Sequence, residues 1–232
     1  NLIYITGSSS GLGKALAELL LEDENNSVIG VARSQTIQHA RYTHITQDLS
    51  QPITDSFFQE ISADCQKVVL VNNAGSIGPI TQVGRQSYDE VAGNYTLNVT
   101  APSVLCNQFV AAYQQSKAEK IIINISSGAG KSPIEGWSTY CASKAALDIF
   151  SQVLQAERAD FKVFAIAPGI VDTPMQDAIR LADEKQFPYL NRFKGYKAHG
   201  DLAPPREVAL KYRSVIEQPQ NFHEVLLSVR DF

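Results

Sequence analysis

Tyr140 and Lys144 stand four residues apart in the stretch STYCASKAALDIFSQVL. Four residues is just over one helical turn, so a helix carries the phenol and the ammonium on one face, stacked along its axis. Isolated tyrosine titrates at about 10 and lysine at about 10.4. Held together in a dry pocket, the ammonium stabilises phenolate and draws the phenol's pKa down. A drop of about three units, worth about 4 kcal/mol, lets such a phenol trade protons near neutral pH. It would then give a proton to a carbonyl oxygen while hydride arrives at the carbon. Ser127, thirteen residues upstream in NISSGAG, would hydrogen-bond the same oxygen and stabilise the charge that develops there.

A second cluster opens the chain. YITGSSSGLGKALAELL puts Thr6 and Gly7 at the end of an apolar run, and Gly11 and Gly13 at the start of an amphipathic helix. Glycines allow a tight turn and close backbone approach, while a helix N-terminus offers free N–H groups and positive dipole to a pyrophosphate. The candidate dinucleotide contacts are Gly7, Ser9, Ser10, Gly11, Leu12 and Gly13, spaced T-G-x-x-x-G-x-G rather than G-x-G-x-x-G. The second apolar run ends in GVARS, where an NAD-preferring fold carries an acidic residue for the ribose hydroxyl. Arg33 and Ser34 stand there instead, and a guanidinium grips a 2′-phosphate, so NADPH/NADP+ is the expected cofactor. Asp48 in QDLS would meet the adenine amino group, with Leu49 beside the ring. NNAG, containing Asn73, Ala74 and Gly75, would form a cofactor wall.

These residues need a scaffold. Apolar runs at 2–6, 27–32, 42–46, 67–73, 120–126, 162–168 and 224–229 read as strands. They are near-continuously apolar, as in a sheet covered on both faces. Helical segments are expected at 11–22, 52–62, 86–116, 138–158 and 205–217. The alternation predicts an α/β Rossmann-type three-layer sandwich, doubly wound, with a mainly parallel seven-stranded sheet in a single domain, 1–232. Only about nine residues, 33–41, join the second and third strands, too few for a full crossover helix. The long, charged and aromatic segment 174–205 is expected to form a substrate lid or, alternatively, a surface excursion packed on the core.

Composition bounds the partners. A net charge of −4 with no basic run argues against nucleic acid and anionic membranes. The longest apolar runs fall far short of the roughly 20 residues needed to span a bilayer. The chain enters a strand almost at once, so no signal peptide is expected. Cys65, Cys106 and Cys141 show neither metal spacing nor a disulfide framework, which fits a reducing cytoplasm and cysteines used as buried filler. No metal site is expected.

The ordered set Thr6-Gly7-x-x-x-Gly11-x-Gly13, NNAG, Ser127, Tyr140-x-x-x-Lys144 and Pro168-Gly169 followed by Thr173 resembles the short-chain dehydrogenase/reductase family over nearly the whole chain. The resemblance implies Tyr140 as general acid/base and Lys144 as the group that lowers its pKa and holds the nicotinamide ribose. It also implies Ser127 as the anchor of the substrate oxygen and Asn98 as holder of a water relay to the lysine. Pro168, Gly169, Val171 and Thr173 would meet the nicotinamide. Within the family the segments around Tyr140 and Thr173 look most like the benzil reductases, relatives of the sepiapterin reductases, which reduce one carbonyl of a vicinal dicarbonyl with NADPH. Trp137, Ile134 and Met175 would then wall an apolar substrate pocket, unless Trp137 belongs to the core. Asp231 is the one acidic candidate for a pterin anchor. Family likeness further implies a homodimer, with a tetramer as the alternative, whose seam Cys106 and Phe109 would line unless they belong to the core. Two other readings, an NAD-dependent secondary-alcohol dehydrogenase and a dinucleotide-sensing module without catalysis, fit Arg33 and the Ser127, Tyr140 and Lys144 set less well.

Overall fold

Seven apolar runs become strands in the computed structural model, which describes residues 1–232. They are β1 (Leu2–Thr6), β2 (Ser27–Ala32), β3 (Tyr42–Thr46), β4 (Lys67–Asn72), β5 (Glu119–Ile125), β6 (Lys162–Ala167) and β7 (Leu226–Ser228). All pair in parallel, in the order β3-β2-β1-β4-β5-β6-β7. Alternating side chains serve opposite layers: Ile3 and Ile5 join one core cluster, while Tyr4 between them joins the other. Helices α1 (Gly11–Leu20) and α7 (Pro205–Glu217) cover the first face; α3 (Ala101–Tyr113) and α4 (Ser138–Glu157) cover the second. This is the expected doubly wound sandwich. The strand order reverses between β1 and β4, and a crevice opens at the carboxyl ends there.

Two connections depart from the sequence expectation. No helix forms over 52–62. Ile53, Phe57, Phe58 and Ile61 pack on the second cluster from an irregular segment instead. The Gln59 backbone N–H donates to the Tyr4 hydroxyl at 2.9 Å, and its carbonyl accepts from Tyr113 at 2.7 Å. Two buried tyrosines thus satisfy the backbone of Gln59 without a helix. Between β2 and β3 there is likewise no helix, as the short connection requires.

The second departure lies in the expected helix 86–116. It starts with a capping box, Ser87 with Glu90, as α2 (Tyr88–Tyr95), then widens into a π turn (Thr96–Thr100) before α3. Cys106 and Phe109 on α3 are fully buried in the chain's own core, so neither lines a subunit seam. Of the cysteines expected as buried filler, Cys106 alone is fully enclosed; Cys65 and Cys141 are half-buried.

The excursion after β6 holds α5 (Pro174–Arg180) and α6 (Leu190–Ala198). It leaves and returns at one point, where Val171 and Ala203 form a parallel bridge. No helix of the chain is long and apolar enough to cross a membrane.

Candidate active site

One cleft of about 880 Å³ runs along the carboxyl edge of the sheet, from the glycine turn after β1 to Tyr140 and on to the α5–α6 excursion. It gathers nearly every residue singled out above. Toward the glycine turn Gly7, Ser9, Ser10, Gly11, Leu12, Arg33, Asp48, Leu49, Asn73, Ala74 and Gly75 line it, as do Pro168, Gly169, Val171 and Thr173 further along. Ser127, Tyr140, Lys144, Ile134, Trp137 and Met175 line the other end. Gly13, Ser34 and Asn98 lie outside the lining.

The glycine turn is built for close approach. Gly7 has φ +67°, and a Cβ there would stand 2.9 Å from the Ala74 Cα. On Gly13 a Cβ would come within 2.3 Å of the Asn73 carboxamide, which donates to the Thr6 and Gly7 carbonyls. Gly13 therefore acts behind the wall by seating NNAG against the turn. Nothing but hydrogen fits at these two positions, and the open cradle they leave suits a dinucleotide phosphate. Beyond the glycine turn the Ser50 backbone N–H and hydroxyl hold the Asp48 carboxylate below its ordinary range, and the charge of Arg33 adds to the effect. Arg33 itself is exposed.

Tyr140, Lys144 and Ser127 meet because α4 lies across the end of β5. The turn after β5 presses close to the helix because Gly130 carries no side chain: a Cβ there would stand 2.9 Å from the Lys144 backbone. The Lys144 ammonium donates to the Ile125 carbonyl at 2.7 Å and lies 5.8 Å from the Tyr140 ring centre. The electrostatics differ from the expectation of a depressed phenol pKa. Burial raises the Tyr140 phenol above its ordinary value, and the neighbouring Ser127 hydroxyl offsets only part of that. Lys144 is pulled down to about 8 by burial, against the opposing charge of Asp148. The ammonium points to a backbone carbonyl, and desolvation dominates in this dry corner.

Asn98 owes its position to the π turn. Its carboxamide accepts from the Ser76 N–H at 3.0 Å and donates to the Ser76 carbonyl at 2.8 Å, pinning the chain after NNAG. A Cβ on Gly75 would stand 3.2 Å from Asn98 Oδ1 and 3.8 Å from Lys144 Nζ, so these groups share one small space.

The apolar wall is larger than the sequence indicated. Trp137 stacks on Phe187 with centres 5.2 Å apart, meets Tyr140 edge-on at 5.7 Å and touches Phe193. Phe187, Leu190 and Ile179 come from the excursion and complete a third core cluster with Tyr140 itself. The aromatic richness of 174–205 was visible, but which rings face inward was not. Arg230 also reaches the cleft and was missed. Asp231 does not line it: its carboxylate accepts from the Ser228 N–H in the turn after β7.

Residues 1–184 match the family model for short chain dehydrogenases. The chain is 35% identical over 228 residues to the benzil reductase ((S)-benzoin forming) of Bacillus subtilis, covering 94% of this chain and 93% of that protein. It is 29% identical over 242 residues to the sepiapterin reductase of Bos taurus, covering 93% and 89%. Among solved structures, the KRED1-Pglu enzyme superposes with a TM-score of 0.82 at 26% identity over 97% of this chain and 99% of that one. With the seven-stranded parallel sheet and the glycine turn at its switch point, these matches show that the chain belongs to the short-chain dehydrogenase/reductase family of nicotinamide-dependent oxidoreductases.

Proposed function

We propose that this oxidoreductase is an NADPH-dependent carbonyl reductase that reduces one carbonyl of a vicinal diketone bearing aryl or bulky apolar groups, with Tyr140 as proton donor. The observation that carries the reading is the convergence of Tyr140, Ser127 and Lys144 at one end of a cleft whose other end is the glycine turn. The glycine cradle and the exposed Arg33 fit a dinucleotide with a 2′-phosphate. Gly7, Gly11, Ser9 and Ser10 would hold the pyrophosphate, Arg33 and Ser34 the phosphate, and Pro168, Gly169, Val171 and Thr173 the nicotinamide. When bound, the reduced nicotinamide supplies hydride.

The chain's own residues supply the rest. Burial keeps Tyr140 in its neutral, proton-carrying form, the form that reduction consumes. Ser127 holds the substrate oxygen, and Tyr140 passes its proton to that oxygen, so the ketone gains hydride and proton and leaves as an alcohol. Lys144, mostly cationic at neutral pH, stabilises the phenolate left behind. Asn98 holds the water relay toward Lys144. Trp137, Met175 and Ile134 bind the apolar groups. The excursion 174–205 serves as lid over the single domain 1–232, which we place in the cytoplasm as a homodimer.

A named benzil reductase at 35% identity supports the diketone class. A pterin reductase reading draws on the sepiapterin reductase similarity, but Asp231, its needed acidic anchor, stands outside the cleft. The test is Tyr140→Phe assayed with benzil and NADPH. Turnover should be lost while NADPH fluorescence still changes on binding; undiminished turnover would remove Tyr140 as the proton donor.

A further inference from the structure

Asp148 is a buried carboxylate that the proposed reaction does not use. It is 5% exposed and lies two turns along α4 from Tyr140, one turn beyond Lys144. Lone buried charges are costly unless partnered, so its place needs a reason. Its surroundings supply one. Four residues on a single face of α4 are each met by one of the consecutive residues 124–127 at the end of β5. Asn124 donates to Ser151 at 2.8 Å, and the Ile125 carbonyl accepts from Lys144. The Ser126 hydroxyl donates to Asp148 Oδ1, and Ser127 lies beside Tyr140.

This stitching fixes Asp148 along the same helical face as the ammonium, separated from it by one turn. The facing groups leave few other sources of charge. On α4 they are Tyr140, Cys141 and Lys144; β5 offers only the Ser126 and Ser127 hydroxyls and backbone carbonyls. The π turn contributes the neutral Asn98 carboxamide, and the turn after Gly130 contributes Lys131, whose charge also bears on Asp148. Asp148 is thus the one anion acting on Lys144.

We propose that Asp148 is a positioning residue for the proton-transfer site, a buried counter-ion that keeps the Lys144 ammonium charged and seated against β5. It acts through Lys144 and touches neither substrate nor cofactor. The assignment rests on the reading of Tyr140 and Lys144 as the proton-donor pair, yet its chemistry can be measured without turnover. Removing the carboxylate removes the one opposing charge and leaves the Ile125 carbonyl alone against desolvation, so the ammonium sheds its proton at lower pH.

The experiment is a pH titration of the full-length protein carrying lysine labelled with ¹³C at Cε, the Lys144 resonance being identified by its loss in Lys144→Arg. The wild-type midpoint is expected at about 8. Asp148→Asn should move it down by about one pH unit. Ser126→Ala removes the hydrogen bond but leaves Asp148 ionised at alkaline pH, so its midpoint should stay with the wild type. An Asp148→Asn midpoint equal to wild type overturns the proposal; should that variant not fold, Asp148→Ser carries the same two outcomes. The alkaline limb of benzil reduction, measured on the same variants, should follow the midpoint. A midpoint that falls while the limb stays put upholds the counter-ion and instead overturns the proton-donor reading.

Discussion

Lys144 is held where its charge is least comfortable. Its pKa is about 8 in the folded protein against 10.5 for the free side chain, because burial penalises the ammonium. Between those values the unfolded chain binds more protons, so stability rises with pH across that window, and the full cost of about 3 kcal/mol is felt below it. Lys144→Met removes that cost but leaves the Ile125 carbonyl without its donor, which costs about 1 kcal/mol. The variant should therefore be about 2 kcal/mol more stable than the wild type at pH 7 and lose its advantage by about pH 10, by urea melts at both values. A Lys144→Met protein less stable at pH 7 would mean that the buried ammonium carries no net penalty. Arg33 poses the complementary question at the cofactor end. A guanidinium binds phosphate strongly and adds little at a hydroxyl, so Arg33→Asp should raise the KM for NADPH at least tenfold while changing that for NADH little. Equal losses with both cofactors would show that Arg33 does not read the phosphate.

At the scale of elements, backbone irregularities place the chemistry. The π turn interrupts a helix that periodicity alone would continue, and it delivers Asn98 to the backbone of Ser76. The excursion after β6 closes on itself through the Val171–Ala203 bridge and presses on Gly136, where a Cβ would stand 2.8 Å from the Gln186 carbonyl. Its fully buried Phe187 backs Trp137. Phe187→Ala should cost about 3 kcal/mol of stability, as large-to-small changes at buried aromatics do. It should also raise the KM for benzil more than that for diacetyl, because in the proposed pocket only aryl groups would lean on the Trp137 stack. Equal effects on the two diketones would detach this wall from substrate binding.

For the whole molecule, the proposed homodimer requires an exposed apolar face. With Cys106 and Phe109 turned inward, the outward face of α4 offers Ile149, 62% exposed, and Val153, 49% exposed. These sit one turn apart, as a packed helical seam requires. If the proposed homodimer uses this face, Ile149→Glu with Val153→Glu should yield a folded monomer by light scattering after gel filtration. A double variant that remains dimeric would locate the seam elsewhere.

Sequence alone determined the sheet, the glycine turn and the Tyr140–Lys144 spacing, because these depend on local rules. Apolar runs make strands, glycines permit the turn, and a four-residue interval sets one helical face. The seven strands appear where the apolar runs lie, within about two residues at their ends. Tertiary structure decided what depends on contacts distant in the chain. Tyr4 and Tyr113 satisfy the backbone at Gln59, and Ile53, Phe57, Phe58 and Ile61 pack on the core from an irregular segment over 52–62. Phe187 and Phe193 reach Trp137 from some fifty residues away. The Tyr140 and Lys144 pKa values follow burial, a property of the whole fold that no four-residue motif contains.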